Sequence, residues 1–124
     1  MKVAIIGSRE KYLADPPMVK RMVEDFVSLL LPSTVVVSGG ARGVDSYAAE
    51  AARIVGLTFE LLLADWDKYG KSAGAIRNKL VTEAADRIVA FWDGESPGTY
   101  NALKQAKAAG KPFQVFTVAR RVPA

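Results

Sequence analysis

The chain of 124 residues contains neither cysteine nor histidine. The first absence removes disulfides, thiolate metal sites and cysteine nucleophiles. The second removes imidazole ligands and every Ser–His or Cys–His nucleophile pair. Long hydrophobic runs are missing as well: no apolar stretch approaches the roughly 20 residues that a bilayer crossing needs. An apolar strand starts at Lys2, leaving no room for a signal peptide, so a cytoplasmic address without membrane association is the expectation. Dense charge is also scarce. Lys and Arg number 17 against 13 Asp and Glu, a net charge of +4. The basic residues are scattered, with Arg120-Arg121 as the one dense cluster, which makes nucleic acid a weaker expectation than a small anionic ligand.

What is present reads as one domain. The length permits a single sizeable core, and the composition, 50% hydrophobic and 24% charged, is that of a globular protein. Apolar runs at residues 2–6, 34–38, 58–63, 87–92 and 113–118 predict five strands. Four helices are predicted between them, at about 16–30, 45–55, 74–84 and 99–109. Asp15 caps the first, with Pro16-Pro17 in its opening turn, and Gly56 closes the second. Met18, Met22, Phe26, Leu29 and Leu30 form the apolar stripe of the first helix. Ile76, Leu80 and Ala84 form that of the third, with Arg77 one position round, above Val81. Strict β–α alternation with continuously apolar strands predicts an α/β fold: a parallel sheet covered by helices on both faces. The domain spans residues 1–118, and 119–124 are expected to form a short loose tail.

Ligands of such sheets sit beyond the carboxyl ends of the strands, at the switch point of strand order. That rule brings three polar loops to one edge. Gly7-Ser8-Arg9 follows the first strand; it is either a plain turn or a point of close ligand approach with Arg9 as an anion clamp. Gly39-Gly40-Ala41-Arg42-Gly43 follows the second and carries more glycine than a turn requires. Its backbone N–H groups and the planar fork of Arg42 suit phosphate, and Asp45 either caps the next helix or accepts from a ribose. It is neither the G-x-G-x-x-G fingerprint nor a Walker A loop. Phe91-Trp92-Asp93-Gly94-Glu95-Ser96-Pro97-Gly98-Thr99 follows the fourth strand. Ser96 or Thr99 caps a helix or, with Gly98, meets a phosphate at its positive end; Trp92 stacks on a base or ends a buried strand. Arg77 and Asn78, behind the flexible entry Gly70-Lys71-Ser72-Ala73-Gly74, face the crevice or a structural ion pair. Asp65, Trp66 and Tyr69 either cover the crevice or form a surface loop.

In order along the chain, Ile5-Ile6-Gly7-Ser8-Arg9, Val37-Ser38-Gly39-Gly40-Ala41-Arg42-Gly43-Val44-Asp45, Ala64-Asp65-Trp66, Tyr69-Gly70-Lys71, Ile76-Arg77-Asn78 and Ser96-Pro97-Gly98-Thr99 resemble the SLOG superfamily. That superfamily includes the DprA/SMF and LOG proteins, and the resemblance is nearest to its small YspA-like branch. It implies a single Rossmann-like three-layer domain with a five-stranded parallel sheet, and binding of a nucleotide or nucleotide-derived molecule. LOG-type members cut the N-glycosidic bond of nucleoside 5′-monophosphates, DprA-type members bind single-stranded DNA, and other branches are associated with sensing nucleotide signals. Homo-oligomers are common among them.

The LOG carry-over is partial. Arg77 matches the catalytic arginine and Gly98-Thr99 the second glycine block, but the position of the catalytic glutamate holds Ala102. Glycoside chemistry needs a carboxylate, for which Asp45, Asp93 or Glu95 are the substitutes; Arg77 and Asp93 are the tentative catalytic pair. The leading expectation is therefore a nucleotide-binding module, a sensor whose output would need an effector protein. A LOG-like hydrolase is the alternative, and single-stranded DNA binding a second one. No cofactor is evident, although carboxylates could hold Mg²⁺ through ligand phosphates.

Overall fold

The computed structural model describes residues 1–122. Five parallel strands, β1 (Lys2–Gly7), β2 (Val35–Ser38), β3 (Thr58–Leu61), β4 (Arg87–Trp92) and β5 (Phe113–Thr117), form one sheet in the order β3-β2-β1-β4-β5. The chain starts in the middle of the sheet, winds outward through β2 and β3, then returns to place β4 beside β1. The switch point lies between β1 and β4, and the loops after these strands open at the same edge.

Alternation along the strands sends side chains to two cores. Val3, Ile5, Val36, Val89 and Phe91 face α1 (Pro16–Ser28) and α2 (Val44–Val55). Ala4, Ile6, Val37, Ile88 and Ala90 face α4 (Ala73–Ala84) and α5 (Pro97–Ala108). The expected three-layer, doubly covered sheet is what the chain forms. At the start of α1, Asp15 accepts from the Met18 N–H at 3.1 Å, and the missing amide hydrogens of Pro16 and Pro17 fall where a helix has no use for them. Gly56 ends α2 in the left-handed region, at φ 80°, which costs glycine nothing.

Four expectations about these elements are corrected. In α1 the inward stripe is Val19, Val23 and Val27, flanked by Met22, Phe26 and Leu30. Met18 and Leu29 are exposed, while Met22, Phe26 and Leu30 of the expected stripe pack at the margin of the core. In α4 Leu80 is exposed while Val81 is buried. The line from Arg77 to Val81 is therefore the inward one, which turns Arg77 toward the sheet edge. The segment before α4 holds one further helical turn, α3 (Trp66–Tyr69), capped by Asp65, which accepts from the Lys68 N–H at 3.1 Å. Residues 119–121 are not loose. The Ala14 N–H donates to the Ala119 carbonyl at 3.1 Å, and the Arg121 N–H to the Tyr12 carbonyl at 2.7 Å. Residues 123 and 124 of the expected tail lie outside the described residues.

Candidate functional site

A cleft of about 840 Å³ opens at the carboxyl edge of the sheet, and a smaller pocket of about 280 Å³ adjoins it. Arg9, Gly39, Ala41 and Arg77 border both. The rest of the cleft is walled by the loop after β1, the loop after β2, the α3 entry and Arg121. The rest of the pocket is walled by Asp45, α4 and the first turn of α5.

The loop after β2 owes its course to its glycines, each for a different reason. Gly39 gives its space to Arg77: a Cβ there would stand 2.7 Å from the Arg77 Cδ and 2.8 Å from its Nη1. Arg77 Nη1 donates to the Gly39 carbonyl at 2.8 Å. Gly40, at φ 77°, faces the cleft. Gly43 does not. At φ 115° it lies against the loop after β1, where a Cβ would meet the Ser8 carbonyl oxygen and the Glu10 nitrogen, each at 2.6 Å. Arg9 bridges to Gly43 in antiparallel fashion, and the Glu10 N–H donates to the Arg42 carbonyl at 3.2 Å. Two arginines from loops 33 residues apart in sequence are thus fixed side by side on the cleft rim.

Asp45 sits in the first turn of α2, buried, where its Oδ2 accepts from the Ala41 N–H at 3.2 Å. It therefore braces the glycine loop and lines the pocket at once. Burial pushes its carboxyl up from 3.8 to about 6, against the opposing pull of Arg77, the Ala41 N–H and Arg9. Asn78 holds Arg77 in turn, accepting from its Nε at 3.0 Å while donating to the Gly98 carbonyl at 3.1 Å. The pocket's two helical walls are tied together through that one amide.

Three expectations are corrected where the end of β1 meets β4 and the loop after it. Gly7 lines the pocket, but its missing side chain serves packing: a Cβ would lie 2.3 Å from the Phe91 carbonyl oxygen. Trp92 lines neither cavity. It turns to the α5 side, stacks on Tyr100 at 6.1 Å and donates from Nε1 to the Ser96 carbonyl at 3.1 Å. Asp93 is also outside the crevice, its side chain wholly buried. Its Oδ1 accepts from the Glu95 and Ser96 N–H groups at 3.0 and 2.8 Å, an Asx turn that shapes the loop. A catalytic role for Asp93 has no geometry to support it.

Ser8 is likewise a buried structural hub, accepting at Oγ from the Asp93 N–H at 3.0 Å and from the Ser96 hydroxyl at 3.2 Å. Ser96, Gly98 and Thr99 do line the pocket, at the N-terminus of α5, and Ala102 stands beside them.

Charge is the cleft's dominant property. Arg9, Lys11, Arg42, Arg77 and Arg121 line it against one acid, Glu10. None of the five cations forms a salt bridge among the described residues, and Glu10 is engaged by the Tyr47 hydroxyl at 2.9 Å. Trp66, half-exposed, supplies an aromatic wall. Sequence reasoning missed Lys11 and Arg121 because neither belongs to a glycine loop, and only the fold brings them to the strand ends. The carboxylates lining the two cavities are Glu10 and Asp45, and no group of three or more metal-ligating side chains occurs among the described residues.

Comparison with known proteins follows the same line. Residues 1–69 match the family model of DNA recombination-mediator protein A. The chain belongs to that family. It is 45% identical over 88 residues to the Gene 61 protein of Mycobacterium phage D29, a match covering 66% of this chain and 70% of that protein. Among solved structures, DNA processing protein A from Streptococcus pneumoniae superposes with a TM-score of 0.77 at 21% identity, covering 92% of this chain. The corresponding protein from Helicobacter pylori, described for its single-stranded DNA binding mode, gives 0.75 at 26% identity and 93% coverage. This chain spans 49% and 64% of those two solved chains. The family lies within the SLOG superfamily that the motifs resemble.

Proposed function

We propose that the cleft binds single-stranded nucleic acid, holding its phosphates on Arg9, Arg42, Arg77, Lys11 and Arg121 and a base against Trp66. The observation that carries this reading is five cations in one cleft, none of them held in a salt bridge among the described residues. Unpaired guanidinium groups that share a concave wall attract a polyanion and fit phosphate oxygens in bidentate fashion. Aromatic stacking beside such a groove is the usual means of holding an unpaired base without selecting its identity. Membership of the DNA recombination-mediator protein A family supports the same reading.

The scattering of basic residues along the sequence had argued against nucleic acid, but the relevant distance is spatial. Placement in the YspA-like branch is a finer inference, resting on the resemblance of the motifs from Ile5 to Thr99 taken together.

One observation favours a second reading, a free nucleotide. The 280 Å³ pocket sets Asp45, Asn78 and Thr99 around a space suited to a sugar or a base. Hydrolysis of such a ligand is less well supported: Asp45 is the one carboxylate in the pocket, and Ala102 occupies the glutamate position.

Fluorescence anisotropy with labelled oligo-dT, its duplex and unlabelled AMP as competitor separates the two readings. Single-strand binding predicts tight oligonucleotide association that AMP displaces only at far higher concentration. Displacement by AMP at equal concentration, or no oligonucleotide binding at all, contradicts it.

A further inference from the structure

Residues 119–121 leave β5 and cross back over the cleft edge beside residues 12–14. Leu13 and Arg120 form an antiparallel bridge, flanked by the two backbone hydrogen bonds of Ala119 and Arg121. This short ladder carries Arg121 onto the cleft wall. A ladder of so few bonds at the surface is weak by itself, so its position depends on side chains. Leu13 and Val118 anchor its roots in the core, and Arg120 holds the part beyond them. Its guanidinium pairs with the Glu95 carboxylate, and its Nε lies 3.9 Å from the Asp93 Oδ2. That oxygen is buried and has no hydrogen-bond partner, so Arg120 is the charge that compensates it. The other Asp93 oxygen shapes the loop that presents Ser96 to the pocket. One side chain thus ties the strap of the large cleft to the wall of the small pocket.

We infer that Arg120 is a positioning residue, latching residues 119–121 to the loop after β4 so that Arg121 stays in the cleft to meet a ligand phosphate. This rests on the reading of the cleft as a nucleic-acid phosphate site. Arg120 itself is outside the cleft lining, so its effect on binding must pass through its neighbour.

The test combines R120A, R121A and the double variant, with oligo-dT affinity measured across salt concentrations and amide exchange followed at Arg121. Each single substitution is expected to weaken binding roughly tenfold and to flatten the log–log salt dependence by about 0.7, the loss of one phosphate contact to a single strand. The double variant should be no weaker than R121A. R120A should also speed exchange of the Arg121 amide, whose acceptor is the Tyr12 carbonyl. If R120A unfolds the chain by stranding the Asp93 carboxylate, D93N/R120A removes both charges and is read in the same way.

Wild-type salt dependence and affinity in R120A overturn the inference alone, as do additive losses in the double variant. A wild-type protein that binds no oligonucleotide overturns the phosphate reading and this role with it.

Discussion

The side chain of Arg77 occupies the volume that any side chain at position 39 would need, and donates to the backbone carbonyl of Gly39 from within it. The conformation of Gly39 is open to other residues, since its φ is not positive, so the conflict is purely one of space. Because the displaced atoms are the far end of a flexible arginine, G39A should fold with a stability change of no more than about 1 kcal/mol. It should nevertheless lose roughly tenfold or more in oligonucleotide affinity. G7A should behave in the opposite way: its Cβ would meet the Phe91 carbonyl oxygen and the branched Val44, a clash in the sheet worth about 3 kcal/mol. Urea unfolding and anisotropy on the two variants would check the contrast.

Asp45 predicts a pH dependence. Its carboxyl is raised in the folded chain, to about 6 from 3.8. Between those values the native state keeps a proton that the unfolded chain has lost. This group's contribution to stability therefore falls as pH rises through that window, by about 3 kcal/mol in total. D45N keeps an acceptor for the Ala41 N–H and removes the buried charge. It should match the wild type near pH 4 and exceed it in stability near pH 7 by about that amount. A stability difference that does not change with pH would contradict the account of Asp45.

Trp66 separates a strand from a mononucleotide. A stacked base is worth about 1–3 kcal/mol, and stacking is uncharged. W66A should therefore weaken oligo-dT binding by roughly fivefold or more while leaving its salt dependence unchanged. If affinity for oligo-dT is untouched, Trp66 is a surface residue and the base lies elsewhere.

The architecture was legible in the sequence because its signals are local and redundant. Five largely apolar runs alternate with helices whose ends carry Asp15, Pro16-Pro17 and Gly56, and a parallel sheet is the packing they share. The inward lines of α1 and α4 were only partly legible, because Met18 competes with Val19 in α1 and Leu80 with Val81 in α4, and only the sheet decides between them. Within the site, Gly39, Gly40, Arg42, Gly98 and Thr99 lie in the crevice as the loop rule suggests, and Arg77 and Asn78, at the start of α4, face it as well. Ser8, Gly43, Trp92 and Asp93 had the same residue chemistry but serve packing and turns. A glycine that admits a ligand and one that admits a neighbouring backbone look alike in sequence. Arg121 and Lys11 could not be found there at all, since their proximity to Arg42 and Arg77 exists only after β5 and the loop after β1 converge.

The central claim, that scattered cations become one phosphate-binding cleft, is tested most directly by the salt dependence of oligo-dT affinity in the wild type, R42A and R77A. Three to five phosphate contacts predict a wild-type log–log slope between about −2 and −3.5, shallower by about 0.7 in each variant. A slope near zero, or one that neither substitution changes, would contradict it.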